Sequence, residues 1–155
     1  MTRAGRTATK GTHMTTTAQN RSAVQSVGIL LARIGIGVVF LAHGLQKLRV
    51  WGQDGTAAAF EGMGVPAPSV SAFLATWLEI VGGAALILGV LVPVVGALFV
   101  LDMIGAFLYA HADSGIWIAD GGYELVLALG AGSLLLASVG AGAFSVDALL
   151  RRIRS

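Results

Sequence analysis

Between Arg33 and Lys47 the chain reads RIGIGVVFLAHGLQK, an apolar run that carries an arginine, a histidine and a lysine. Charged side chains within hydrocarbon are costly and turn toward partners or water, so these three define a polar seam. At 100° per residue on a helix, Lys47 lies about 40° and His43 about 80° from Arg33, which places all three in one sector. Further along, apolar segments carry Glu79 and Asp102, and Glu124 opens the last of them. Tyr109 lies within about 40° of Asp102. Two fixed cations facing three carboxylates suit hydrogen bonding to a small polar molecule and proton handling. They suit helix registry equally well.

These groups need a scaffold that brings separate apolar segments together. The chain has 155 residues, 55% hydrophobic and 12% charged, with a mean hydropathy of +0.81. Such a low charged fraction points to a polytopic membrane protein, all-α because a spanning segment must satisfy its own backbone. Four spans are expected, at 24–48, 70–91, 94–112 and 123–139. They form an integral four-helix bundle with short amphipathic surface helices, one at Thr56–Met63 and one after Ser145. Residues 1–23 read as a basic cytoplasmic tail without regular structure, 24–141 as the membrane domain and 142–155 as a cytoplasmic amphipathic helix. Translation could begin at Met1 or Met14.

Seven of the ten Lys and Arg lie in the terminal tails, which explains the sequence pI near 9.5 without nucleic acid. An even number of spans with basic ends places both termini in the cytoplasm. The loops 49–69 and 113–122 are then outside, with Trp51 as an interfacial anchor. On straight helices Lys47 and Glu124 are shallow, His43 lies about 7 Å down, Glu79 and Asp102 about 12–15 Å, and Arg33 about 20 Å. The candidate pocket is therefore Arg33, His43, Lys47, Glu79, Asp102, Tyr109 and Glu124. His111, nine residues beyond Asp102, points to the opposite side and argues against a haem held by two histidines. The chain has no cysteine, which excludes thiolate chemistry and iron–sulfur ligation by its own residues. No metal-ligand spacing and no phosphate loop are present.

Five stretches in order carry a more specific signal. They are GVVFLAHGLQKL, the Thr56–Pro66 pattern T-x-x-x-F-x-x-x-G-V-P, LEIVGGAALILG at Leu78–Gly89, DGGYE at Asp120–Glu124 and GAFSVDALL at Gly142–Leu150. Together, over about residues 28–150, they resemble the DoxX family of small four-helix membrane proteins. His43, Gly44, Lys47, Glu79, Gly82, Gly83 and Gly121–Glu124 match its motifs. The resemblance implies an auxiliary subunit of a quinone-linked redox system in the cytoplasmic (inner) membrane, related to terminal quinol oxidase and thiosulfate:quinone oxidoreductase subunits. It implies no intrinsic cofactor, a bound quinone as ligand, and a redox protein partner that supplies electrons. A small proton-coupled transporter and a non-catalytic assembly scaffold are the alternatives.

Overall fold

The computed structural model describes the backbone of residues 11–154 and side chains from Ala23. Of the expected amino-terminal tail, residues 1–10 lie outside the described residues. Helix α1 (Gly11–Gln46) begins well before the apolar run. It continues into a π-helical turn, Lys47–Trp51. At Gly52, φ is 70°, which breaks the direction and starts α2 (Gly52–Gly62).

α2 ends because its last carbonyls are closed by a left-handed residue. Gly64 takes φ 75°, its N–H donates to Glu61 O at 2.9 Å and Val65 N–H donates to Phe60 O at 2.9 Å. This is a Schellman closure, and Pro66 just beyond it cannot extend the helix. The next span consists of α3 (Pro68–Trp77), a π-helical turn (Leu78–Gly82) and α4 (Gly83–Leu88). Gly89, with φ 76°, stops it by the same device. α5 (Val92–Ala106) runs back and ends in a third π-helical turn, Phe107–His111. α6 (Glu124–Val139) and the short α7 (Val146–Arg154) complete the chain. Ser145 caps α7 by accepting the Ala148 N–H at 3.1 Å, the role its position suggests.

Three helices, Ala23–Gly62, Pro68–Leu88 and Val92–His111, are long and apolar enough to cross a membrane. α6 is shorter, about 24 Å at 1.5 Å per residue, and packs on α5 along its length. The core is small and apolar, with Phe40 of α1 stacked on Phe99 of α5 at a ring separation of 3.6 Å. Outward faces are large and apolar, with Leu31, Leu74, Leu101 and Leu127 each at least 60% exposed. A surface of that kind is stable against acyl chains, and its area is far beyond what a water-soluble monomer tolerates.

α1 packs against the α3–α4 span through glycine. A Cβ on Gly37 would meet Gly83 O at 2.7 Å, and a Cβ on Gly83 would meet Gly37 O at 2.7 Å and Leu41 N at 2.8 Å. The two backbones touch here, which no larger residue permits. By contrast, Gly28 faces open space. Gly83→Ala should therefore destabilise the bundle by about 1–3 kcal/mol through overpacking. Gly28→Ala should leave it unchanged or slightly firmer, since alanine favours helix by about 1 kcal/mol. Unfolding of both variants in mixed micelles checks the contrast.

Candidate functional site

One face of α1 and of the π turn that continues it carries Arg33, Gly37, Phe40, Gly44 and Lys47, all at least half buried. One face of the next span carries Ala72, Thr76, Glu79, Gly83 and Leu86, all buried. Pressing these faces together fixes what Lys47 meets. A Cβ on Gly44 would lie 2.9 Å from Glu79 Cβ and 2.9 Å from Ile80 N, so glycine there lets the Glu79 backbone close in one turn below Lys47. Lys47 Nζ then donates to both carboxylate oxygens of Glu79, at 2.8 and 2.7 Å. Their side chains are 13% and 6% exposed. Charge-assisted bonds of this length, screened by little water, are the strong kind.

Both partners sit in π-helical turns, Lys47 opening one and Glu79 second in the other. A π turn widens the helix by one residue and re-aims the side chains around it, a device frequent at functional sites. Asp102 on α5 completes a three-helix cluster, interacting electrostatically with both Lys47 and Glu79. His43, one turn before Lys47 on α1, feels the lysine's field. α2 closes the cluster from above, where the Thr56 hydroxyl donates to Gly52 O at 2.8 Å and lies 3.3 Å from Lys47 O.

Three further polar atoms belong to these same elements. Gln53 Nε2, Thr76 Oγ1 and Asp102 Oδ2 are buried and have no hydrogen-bond partner, as is true of Arg33 Nε toward the other end of α1 and Ser133 Oγ on α6. Buried polar groups are nearly always paired, so orphans on the elements that carry the charged pair call for a partner such as water or a ligand. Gln53 and Thr76 were not among the expected site residues. The signal for Thr76 was available, since it falls on the 72–76–79–83–86 stripe that also carries Glu79.

The other expected pocket residues do not join this cluster. Arg33 is fully buried but fourteen residues from Lys47, about 21 Å along α1. Its guanidinium donates to Ala141 O and, at 2.8 Å, to Phe144 O, with Asp147 as the opposing charge. Gly89 makes room for it, because a Cβ there would strike the Arg33 guanidinium and lie 2.5 Å from Ser145 Cβ. Arg33 thus ties α1 to the α6–α7 connection at the opposite end of the bundle. Shared angular position on α1 brought Lys47 and Arg33 to one face, and axial distance kept them apart.

Glu124 is equally occupied elsewhere. Its Oε1 accepts the Ile118 N–H at 2.8 Å, while Glu124 N–H donates to Ile116 O at 2.9 Å. Gly122 lies inside this loop, where a Cβ would come within 2.6 Å of Gly115 O and Trp117 N. The DGGYE stretch is therefore a loop clasp, and His111 joins it through Nδ1, 2.6 Å from Gly121 O. Tyr109 is 42% exposed, in the third π turn. A separate apolar groove of about 500 Å³ lies between α5 and α6, lined by residues including Met103, Phe107, Tyr123 and Gly130.

Fold and cluster together define a polytopic helical membrane protein in which charged groups from three helices meet near one end of the bundle. The chain belongs to the DoxX family, whose model matches residues 28–112. Inner membrane protein YqjF of Escherichia coli is 36% identical over 135 residues, which cover 83% of this chain and 96% of YqjF. Inner membrane protein YphA of the same organism is 28% identical over 81% of this chain and 91% of its own length. Putative oxidoreductase CatD of Bacillus subtilis is 37% identical over 82 residues, 53% of this chain and 58% of CatD. No solved structure matches the chain. The names of YqjF and YphA support an inner membrane location.

Removing the Glu124 carboxylate tests the assignment of that residue to the loop. Glu124→Ala should speed hydrogen exchange at the Ile118 amide by about tenfold, the loss of one bond worth ~1.5 kcal/mol. Exchange in α1 and α3 should stay as it was. Hydrogen-exchange mass spectrometry of the two proteins reads both regions.

Proposed function

We propose that this chain is an auxiliary membrane subunit of a quinone-linked redox system, with the Lys47–Glu79–Asp102 cluster as the place where a quinone ring or a similarly small oxygenated molecule binds. The observation that carries this reading is the buried Lys47–Glu79 pair, on elements that also carry three buried polar atoms without partners. Gln53 offers an N–H donor, Thr76 a hydroxyl and Asp102 an acceptor. That combination fits a ring bearing oxygens that accept hydrogen bonds in one oxidation state and donate them in the other.

A quinone, when bound, supplies two-electron, two-proton chemistry. Everything else falls to this chain. Lys47 and Gln53 hold ring oxygens by donating to them, and Thr76 fixes the ring's orientation. Glu79 and Asp102 accept or release the protons that accompany electron transfer, and Lys47 balances their charge. His43, one turn further along α1, extends the path a proton would follow. Electrons come from a redox protein partner, and the word oxidoreductase in the name of CatD supports that class of association.

The basic residues of the first 23 positions and Arg151, Arg152 and Arg154 favour a cytoplasmic position for both termini. The Lys47 end then faces away from the cytoplasm, so protons exchange with the outer compartment. Protein purified in mild detergent should carry quinone in stoichiometric amount when its extract is quantified by chromatography. Glu79→Gln should lose it while its circular dichroism spectrum stays that of the parent, although melting falls because Lys47 loses its partner. Quinone absent from the parent protein, or retained equally by Glu79→Gln and Lys47→Met, overturns the reading and leaves the pair an assembly role.

A further inference from the structure

The opposite end of the bundle holds a second polar feature that the redox reading does not use. α7 is strongly two-sided, with Leu149 and Ile153 on one side, Asp147, Arg151 and Arg154 on another, and Leu150 at the boundary between them. Leu149 is 56% and Ile153 72% exposed, as in a helix lying along a membrane surface with its apolar side toward acyl chains. Between α7 and the turn joining α4 to α5 lies a groove of about 590 Å³. Leu91, Val94 and Leu150 form its apolar wall, and Asp147, Arg151 and Arg154 its polar rim.

We propose that this groove is a binding site for one anionic phospholipid, with the phosphate held between Arg151 and Arg154 and the glycerol and first acyl carbons lying over Leu91 and Val94. Three observations support a lipid rather than a soluble anion. The wall is apolar and continuous with the exposed flank of α5, where Leu91 is 60% and Val94 55% exposed. The groove lies where α4 ends and α5 begins, which is the boundary of the membrane layer. Its charge is also of the right sign. Two guanidiniums face one carboxylate, and Asp147 already interacts with Arg33 from α1, so the rim is net positive.

Guanidinium groups bind phosphate oxygens bidentately, which favours a phosphate headgroup at this spot. A zwitterionic headgroup adds an ammonium that a net positive rim repels. A free phosphate gains nothing from the apolar wall. The turn is held against α7 by the Asp147 N–H, which donates to Gly89 O at 3.2 Å, so the groove is built before any lipid arrives. An occupied groove would brace the same end of the bundle that Arg33 closes.

Native mass spectrometry of delipidated protein titrated with phosphatidylglycerol or phosphatidylcholine reads the site. The parent protein should take up one phosphatidylglycerol at concentrations where phosphatidylcholine adducts are absent. Arg151→Gln/Arg154→Gln, both surface changes, should weaken that first adduct roughly thirtyfold, the loss of two surface cations' attraction. Arg49→Gln, at the other end of the bundle, should not. Val94→Ser should weaken phosphatidylglycerol as well, and millimolar inorganic phosphate should fail to compete. Equal uptake of the two lipids, an unchanged first adduct in the double variant, or displacement by phosphate alone overturns the proposal.

Discussion

A charge buried in hydrocarbon must find its partner inside the protein, and in this bundle that requirement is met by letting two helix backbones touch. Gly37, Gly44 and Gly83 remove the side chains that would hold α1 and the α3–α4 span apart. Lys47 can then reach both oxygens of Glu79. Without the pair, each ion would carry an insertion penalty of about 3 kcal/mol, a large fraction of a typical domain's stability. The glycine contact and the ion pair therefore support each other. The contact brings the charges together, and the charges define the register at which the contact forms.

The two basic residues on the inner face of α1 are satisfied in different ways. Lys47 meets a carboxylate and also interacts electrostatically with Asp102. Arg33 meets the backbone carbonyls of Ala141 and Phe144 in the segment between α6 and α7, so its guanidinium fastens that connection. The first arrangement leaves polar atoms without partners. The second uses its two terminal guanidinium nitrogens on the fold and leaves only Arg33 Nε without a partner. Glu124 belongs with the second kind, because its carboxylate organises the loop from Gly115 to Gly122. Of seven residues whose types suggested one pocket, the structure brings three into a cluster with His43 beside it.

How much of this could be read in the sequence depended on the physical scale of the signal. From Pro68 onward, apolar runs of about twenty residues located the helices to within a few residues, because burial in lipid is a local effect, whereas α1 starts at Gly11, well before the expected 24. Angular position also came through, as Arg33 and Lys47 do share a face. Depth misled, since a ladder of charges inferred along one helix ignores which carbonyls lie opposite each rung. The three π-helical turns were invisible, because a widened turn is set by tertiary contact and carries no residue signature of its own. Gln53 escaped for a related reason. Its burial follows from α2 folding back over Lys47 after Gly52 changes direction.

Lys47, and not Arg33, is the cation that answers Glu79. A pair of double-mutant cycles, measured by reversible unfolding in mixed micelles, separates the two. Lys47→Met with Glu79→Gln should show a coupling energy of about 1.5–3 kcal/mol, as contacting charged groups do, and Arg33→Met with Glu79→Gln should be additive within about 0.5 kcal/mol. Additivity for Lys47 and Glu79, or comparable coupling between Arg33 and Glu79, would contradict the arrangement described.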